Sequence, residues 1–402
     1  MSGKWQEAYK GLKDFIAAKP SIEIDETFTV VPGDVRNEFY RLFDDVRIAF
    51  LQEKFPAQLG EAEILSENYI KSEHEVTDLF KLEGIYTLPP LHKFLHDPRS
   101  ELIRGLSDLL FDLLKGKESY ESFEQKASRK IETTFEDGFR LGHAKWVALS
   151  LVKLLESDKL YNVPPPESKT TPHGEPVHLE KPVPFPEESI VLSFEHGPHL
   201  FPPFILPHFI VHSARLGRYV AVRTEVVYRA EYTALDASEK REWLSLDTID
   251  EEYDLAAPSP SLLIYIGDKP EELALVADKH RICRPDLTVE YRESGDTVEA
   301  KLYEIINPKL GRYVVLKESV PEQMPQESMP ASTPPQPLLE QGAEVQKEEQ
   351  NKVVVHALAV GFELSRLEPI IEAMINSNNI DSGPPRLPVS GRMPRPAHVW
   401  PD

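Results

Sequence analysis

Cysteine is almost missing. Cys283 is the only one in 402 residues, so no disulfide can close within the chain and a disulfide-stapled secreted scaffold is excluded. Glycine is sparse as well, at 19 residues. No Gly-x-Gly-x-x-Gly, Gly-x-x-x-x-Gly-Lys or Gly-x-Ser-x-Gly occurs, so dinucleotide, P-loop and hydrolase-elbow sites lack the tight backbone turns that define them. No segment approaches the ~20 unbroken apolar residues of a spanning helix. The amino terminus, Met-Ser-Gly-Lys-Trp-Gln-Glu, has no apolar signal core behind its lysine. Positive charge is also short, with 45 Lys+Arg against 67 Asp+Glu for a net charge of −22. Such a surface repels phosphate backbones and disfavours nucleic acid, while basic partners and metal cations are accommodated. These absences predict a cytoplasmic protein, in a reducing compartment and off the membrane.

Proline is abundant, 36 of 402 residues against a usual ~5%, so part of the chain is expected to be extended and unstructured. The length suits two or three domains. The pattern predicts an α+β chain in six stretches. Residues 1–161 read as an all-α helical domain with one strand near 21–31. Residues 162–188 are a Pro-rich linker, and 189–320 a mostly antiparallel β-rich domain. A disordered linker over 321–352, a short ordered segment over 353–378 and an extended Pro/Arg tail over 379–402 complete the chain.

In the first stretch, residues 34–55 repeat Val35, Phe39, Leu42, Phe43, Val46 and Phe50 on one face, with Asp34 as N-cap and Pro56 as the stop. Asp97-Pro98 pairs a capping carboxylate with proline at the first helical position, opening a helix that runs to Lys115-Gly116. Helical spacing resumes from Ser119 to Leu155, with a break or kink expected at Gly138 and Gly142. Ile22, Ile24, Phe28 and Val30 alternate with polar residues as one half-buried strand, which needs a sheet elsewhere to join.

Beyond the linker the period changes to two. Val220 to Tyr232 is the clearest strand, Leu262 to Ile266 a buried one, and Pro270 to Ala277 a short helix. Leu287 to Ile305 reads as a hairpin turning at Ser294-Gly295. Leu216-Gly217-Arg218-Tyr219-Val220 recurs as Leu310-Gly311-Arg312-Tyr313-Val314, which we read as a reused loop-to-strand solution in preference to a duplicated domain. Val353 to Phe362 is apolar, and Ser365 with Glu368 forms a capping-box pattern ahead of Ile370, Ile371 and Met374.

One arrangement carries chemistry. Pro285-Asp286 is followed, after twelve residues, by Glu299-Ala300-Lys301. This resembles the PD-(D/E)XK pattern of metal-dependent nucleases. The resemblance implies that Asp286 and Glu299 are metal ligands for Mg²⁺ or Mn²⁺, and that Lys301 positions water or stabilises charge developing on phosphate. In the hairpin register Glu290 lies opposite Glu299, so Asp286, Thr288, Glu290, Glu299, Lys301 and Tyr303 share one face. The competing reading is an ordinary hairpin with a wet face.

His196, His199, His208 and His212 gather in one short segment and are weighed as transition-metal ligands, with surface or structural roles preferred. His92 and His96 have helical spacing but lack the glutamate of a zinc-protease motif, and read as a helix face. The leading expectation is a soluble, non-enzymatic interaction or scaffold protein with protein partners and no cofactor. A nuclease using Asp286, Glu299 and Lys301 is the alternative.

Overall fold

The computed structural model describes residues 3–162, 187–194, 207–224, 262–274, 285–292, 309–316 and 355–381. Helices fill the amino-terminal part and a mostly antiparallel sheet the later part, so the α+β class holds. No described helix is long and apolar enough to cross a membrane.

The helices are α1 (Lys4–Ala17), α2 (Arg36–Lys54), α3 (Pro56–Phe80), α4 (Pro89–His96), α5 (Pro98–Arg104), α6 (Leu106–Leu114) and α7 (Tyr120–Leu154). Their packing is aromatic at one end. Trp5 is fully buried, with the Phe50 and Phe123 rings centred 5.6 and 5.3 Å away. Its indole N–H donates to Glu124 over 2.9 Å, which satisfies the one polar atom of a large apolar group. Pro56 does more than stop α2, because it occupies the first turn of α3, where its missing N–H costs nothing. The expected cap at Asp34 is not used; α2 begins after Val35 without a side-chain cap.

Asp97 caps α5 as expected, accepting from the Ser100 N–H over 3.1 Å, and Ser119 caps α7, accepting from the Ser122 N–H over 3.2 Å. The helix expected to run from Asp97-Pro98 to Lys115-Gly116 breaks at Gly105 into α5 and α6. Arg47 of α2 compensates there, donating to the Ile103 carbonyl and the Ser107 hydroxyl over 3.2 and 2.6 Å. The reverse holds in α7, which runs unbroken through Gly138 and Gly142. Those glycines serve packing: a Cβ at Gly138 would sit 2.7 Å from the Phe94 ring, and one at Gly142 2.7 Å from Leu95, both on α4. The single strand expected near 21–31 folds back on itself as β1 (Glu23–Ile24) and β2 (Thr29–Val30), antiparallel to one another. Asp25 makes the turn, its carboxylate accepting from the Thr27 and Phe28 N–H groups over 2.6 and 2.9 Å.

Two further sheets follow. β3 (Gly84–Tyr86) pairs in parallel with β6 (Val191–Ser193). The large sheet has eight strands in the order β12-β11-β10-β9-β8-β7-β4-β5. They are β4 (Ser157–Asn162), β5 (Glu187–Glu188), β7 (Phe209–Ser213), β8 (Arg218–Thr224), β9 (Leu262–Gly267), β10 (Leu287–Arg292), β11 (Gly311–Leu316) and β12 (Val355–Ala359). Neighbours from β5 to β10 are antiparallel, whereas β10, β11 and β12 are mutually parallel. The short helix α8 (Pro270–Ala274) packs on β8 and β9.

Helix α7 lies on one face of this sheet, against β8 and β10. Val220, Val222, Leu262, Ile264, Leu287, Val289, Tyr313 and Val315 share one continuous buried cluster with Phe139, Trp146 and the core of the helices. After β12 the chain turns at Gly361, passes a 3-10 turn (Leu364–Leu367) and enters α9 (Glu368–Asp381). Val360, Leu367, Ile370, Ile371 and Met374 join the same cluster, and Arg215 pairs with Glu368 over 2.9 Å. The Leu-Gly-Arg-Tyr-Val echo is local only. Its first copy opens an antiparallel strand with Val220 toward the helices; its second opens a parallel strand with Tyr313 toward them, so equivalent residues face opposite ways.

Candidate functional site

Asp286, the first residue of the nuclease-like pattern, stands immediately before β10. Its Oδ2 accepts from the Ile266 N–H over 2.6 Å and its Oδ1 from Lys309 Nζ over 3.0 Å. Its own N–H donates to the Ile264 carbonyl and its carbonyl accepts from the Leu310 N–H, both over 2.8 Å. One residue therefore fastens the starts of β10 and β11 to β9. Glu299 and Lys301 lie outside the described residues, as do Tyr303 and the proposed turn at Ser294-Gly295.

The hairpin register is not what β10 adopts. Glu290 faces Val314 of β11, and β10 is bordered by β9 on one side and β11 on the other. Nor is its polar face wet. Thr288 and Glu290 are 2% and 1% exposed, and Arg223, on the same face of β8, is buried too. Alternation separates two faces of a strand but does not say which of them meets water, and a central strand of a large sheet can have both covered. Thr288 Oγ1 is enclosed without a hydrogen-bond partner among the described residues.

The histidines do not converge. His196 and His199 lie outside the described residues. His208 and His212 stand four residues apart on an extended chain, about 13 Å at ~3.3 Å per residue. His208 Nδ1 accepts from the Thr224 N–H over 3.0 Å, while His212 Nδ1 meets Asp158 over 2.6 Å. His92 and His96 do share a face of α4, with ring centroids 4.1 Å apart. His96 Nε2 meets Glu73 of α3 over 2.8 Å, and this hydrogen bond holds the imidazole pKa above its ordinary value. Among the described residues no group of three His, Cys, Asp or Glu side chains is arranged to hold a metal ion.

Two buried ionisable groups on α7 escaped the sequence reading. Lys145 is 1% exposed; its ammonium donates to Thr224 Oγ1 and lies 4.9 Å from the centre of the Phe194 ring. His143 sits inside a box of Phe139, Trp146, Tyr291 and Phe362 rings, with centroids 6.3, 5.3, 4.7 and 5.6 Å away. Its Nε2 faces the Gly361 carbonyl at 3.5 Å. Burial pushes the imidazole down from 6.5 to about 4, against the opposing pull of that carbonyl. The signal was present in the sequence: Gly142 to Val152 is buried all round, and polar residues embedded in such a stretch are buried with it.

The outside of the helical body carries a different kind of group. Tyr86, Leu88 and Ile190 are 55%, 50% and 55% exposed, and all three belong to the β3–β6 pair or its immediate flanks. Ile85 and Leu192, directly opposite one another across the two strands, are buried and tie the pair to the core. The Glu83 N–H donates to the Ile190 carbonyl and the Phe194 N–H to the Tyr86 carbonyl, each over 2.8 Å. The Tyr86 ring lies across Gly84, 3.6 Å from where a Cβ would stand, an ordinary van der Waals separation.

Comparison of the chain with family models, with curated proteins and with solved structures finds no match.

Proposed function

We propose that this chain is a non-enzymatic interaction or scaffold protein that presents partner-binding surface on a rigid body. The observation that supports this is that Tyr86, Leu88 and Ile190, each about half exposed, stand on or beside a strand pair that Ile85 and Leu192 lock into the core. Large apolar side chains held together on ordered backbone are the usual mark of a contact surface. The bonding of Asp286 agrees with this reading, because both carboxylate oxygens already brace strands.

A second reading is favoured by one observation. Asp286, Thr288 and Glu290 lie on one face of β10, with Lys309 beside the first of them. Were Glu299 and Lys301 to approach that face, a divalent-metal nuclease centre would result, with Mg²⁺ or Mn²⁺ clamping the phosphate.

Two measurements separate the readings. Native mass spectrometry of the protein recovered gently from lysate should give a defined complex heavier than the single chain. A nuclease assay with Mg²⁺ and Mn²⁺, on wild type and Lys301→Ala, should give no metal-dependent cleavage. A bare monomer together with cleavage abolished by Lys301→Ala would overturn the interaction reading in favour of the enzyme.

A further inference from the structure

We propose that residues 355–381 form a strap over α7 that lifts from the rest of the fold when His143 is protonated. This goes beyond the interaction reading and does not depend on it. The strap comprises β12, the turn at Gly361, the 3-10 turn and α9. β12 stands at the end of the order of described strands, parallel to β11, so its departure leaves the strands from β5 to β11 paired as they are. Leu367, Ile370, Ile371 and Met374 hold the strap to the common core, and Arg215 reaches Glu368 over 2.9 Å at a partly exposed site.

His143 lies where strap and helix meet. Phe139 and Trp146 are its neighbours on α7 and Tyr291 comes from β10, whereas Phe362 and the Gly361 carbonyl come from the strap. Gly361 turns the chain at a φ of +50°, which glycine adopts without strain, and so brings its carbonyl to 3.5 Å from Nε2. A carbonyl only accepts, which places the neutral ring's proton on Nε2. Nδ1 is enclosed without a hydrogen-bond partner among the described residues. Protonation therefore adds an N–H and a full charge at an atom with nothing to receive them. Lifting the strap removes one ring and the carbonyl together and opens the imidazole to water, while α7 and β10 stay in place.

The other titratable groups on the surrounding elements are engaged elsewhere or turned away. On α7, Arg140 is exposed beside Asp137, and Lys145 donates to Thr224. On β10 the Tyr291 ring touches His143, and Glu290 lies on the opposite face of the strand, as Arg223 does on β8. β11 contributes Tyr313, whose phenol is held above its ordinary value by burial and then by Glu372 of α9. On the strap, Glu363 pairs with Arg366 and Glu368 with Arg215, and His356 of β12 stands in register with Tyr313. Burial is thus what keeps the His143 ring neutral, against the pull of the Gly361 carbonyl, and the strap supplies part of that burial. The neutral ring favours the closed strap and the imidazolium the open one.

The test is hydrogen exchange of the full-length chain, read by mass spectrometry from pH 7.5 to pH 5.0 and corrected for the intrinsic rate at each pH. In wild type the amides of residues 355–381 should exchange at least ~10-fold faster than those of α2 and α3, which marks an opening smaller than global unfolding. That opening should increase roughly 30-fold across the range, beginning near pH 6.5, as follows from an imidazole at about 4 when closed and 6.5 when open. In His143→Leu the increase should shrink to less than about threefold. His356→Gln and Glu368→Gln, which remove the strap's own histidine and its ion pair with Arg215, should each keep the wild-type increase. If the leucine variant does not fold, the onset and these two controls still decide, because carboxylates titrate near ~4 and leave only the histidines to act above pH 5.5. Four results overturn the proposal: a strap that shares the protection of α2 and α3, no increase by pH 5.5, an increase that persists in a folded His143→Leu, or one that is lost in either control.

Discussion

Acid should loosen this protein through one side chain. His143 is neutral in the fold because burial among four rings holds its pKa at about 4, against 6.5 when freed by unfolding. Above pH 6.5 neither state binds the proton, and stability owes nothing to the difference. Between 6.5 and about 4 the unfolded chain binds it and the folded chain does not, so stability falls as pH falls. Below about 4 both states are protonated and the loss levels off. At ~1.4 kcal/mol per pH unit the interval corresponds to roughly 3 kcal/mol, a sizeable part of a typical total of ~5–15 kcal/mol. The assay is urea unfolding from pH 8 to pH 4 on wild type and His143→Leu. Only the pH dependence is compared, since the leucine also changes packing. The wild-type free energy should drop more steeply than the variant's across this window, by roughly 3 kcal/mol in all. Parallel curves would show that His143 does not titrate as its enclosure demands, and the aromatic box would have to be open to water.

Gly138→Ala should destabilise by about 1–3 kcal/mol in the same assay, because its Cβ would meet the Phe94 ring at 2.7 Å. Gly60→Ala, also in a helix but with open space around it, should stabilise by about 0.5–1 kcal/mol. Asp286→Ala should cost about 1–3 kcal/mol in buffer containing a chelator, since the Ile266 N–H and Lys309 lose their acceptor; an unchanged midpoint would deny the carboxylate its bracing role. The His96–Glu73 pair acts in the opposite sense to His143. Its stabilisation is complete below the ordinary histidine value and lost as pH rises through the elevated one, and Glu73→Gln should lower the His96 titration midpoint seen by NMR.

Helix positions were readable because apolar spacing and caps are local. Asp97-Pro98 and Ser119 announced α5 and α7 directly. What each glycine did was not local. Gly105 interrupts a helix that its neighbours would have continued, while Gly138 and Gly142 are needed by α4, some forty residues earlier in the chain. The same limit applies to β10. Its alternating residues were read correctly as two faces, but its partners were set by β9 and β11, and the second of these is a parallel neighbour that no turn signal could announce. Of the nuclease-like set, Asp286 alone falls among the described residues. The exposure of Tyr86, Leu88 and Ile190 was invisible in the sequence, since it depends on the pairing of β3 with the distant β6.

The packing of α7 beneath the last described segment has a consequence during synthesis. Phe139, His143 and Trp146 are complete once the ribosome has passed Leu154, yet their cover includes Phe362, and α9, which ends at Asp381, packs on the same helix. About 230 residues separate the two events, or roughly 10–45 s at ~5–20 residues per second. Until the end of that interval the nascent chain carries this aromatic seam without its last cover, and apolar surface exposed in this way is where wrong contacts form.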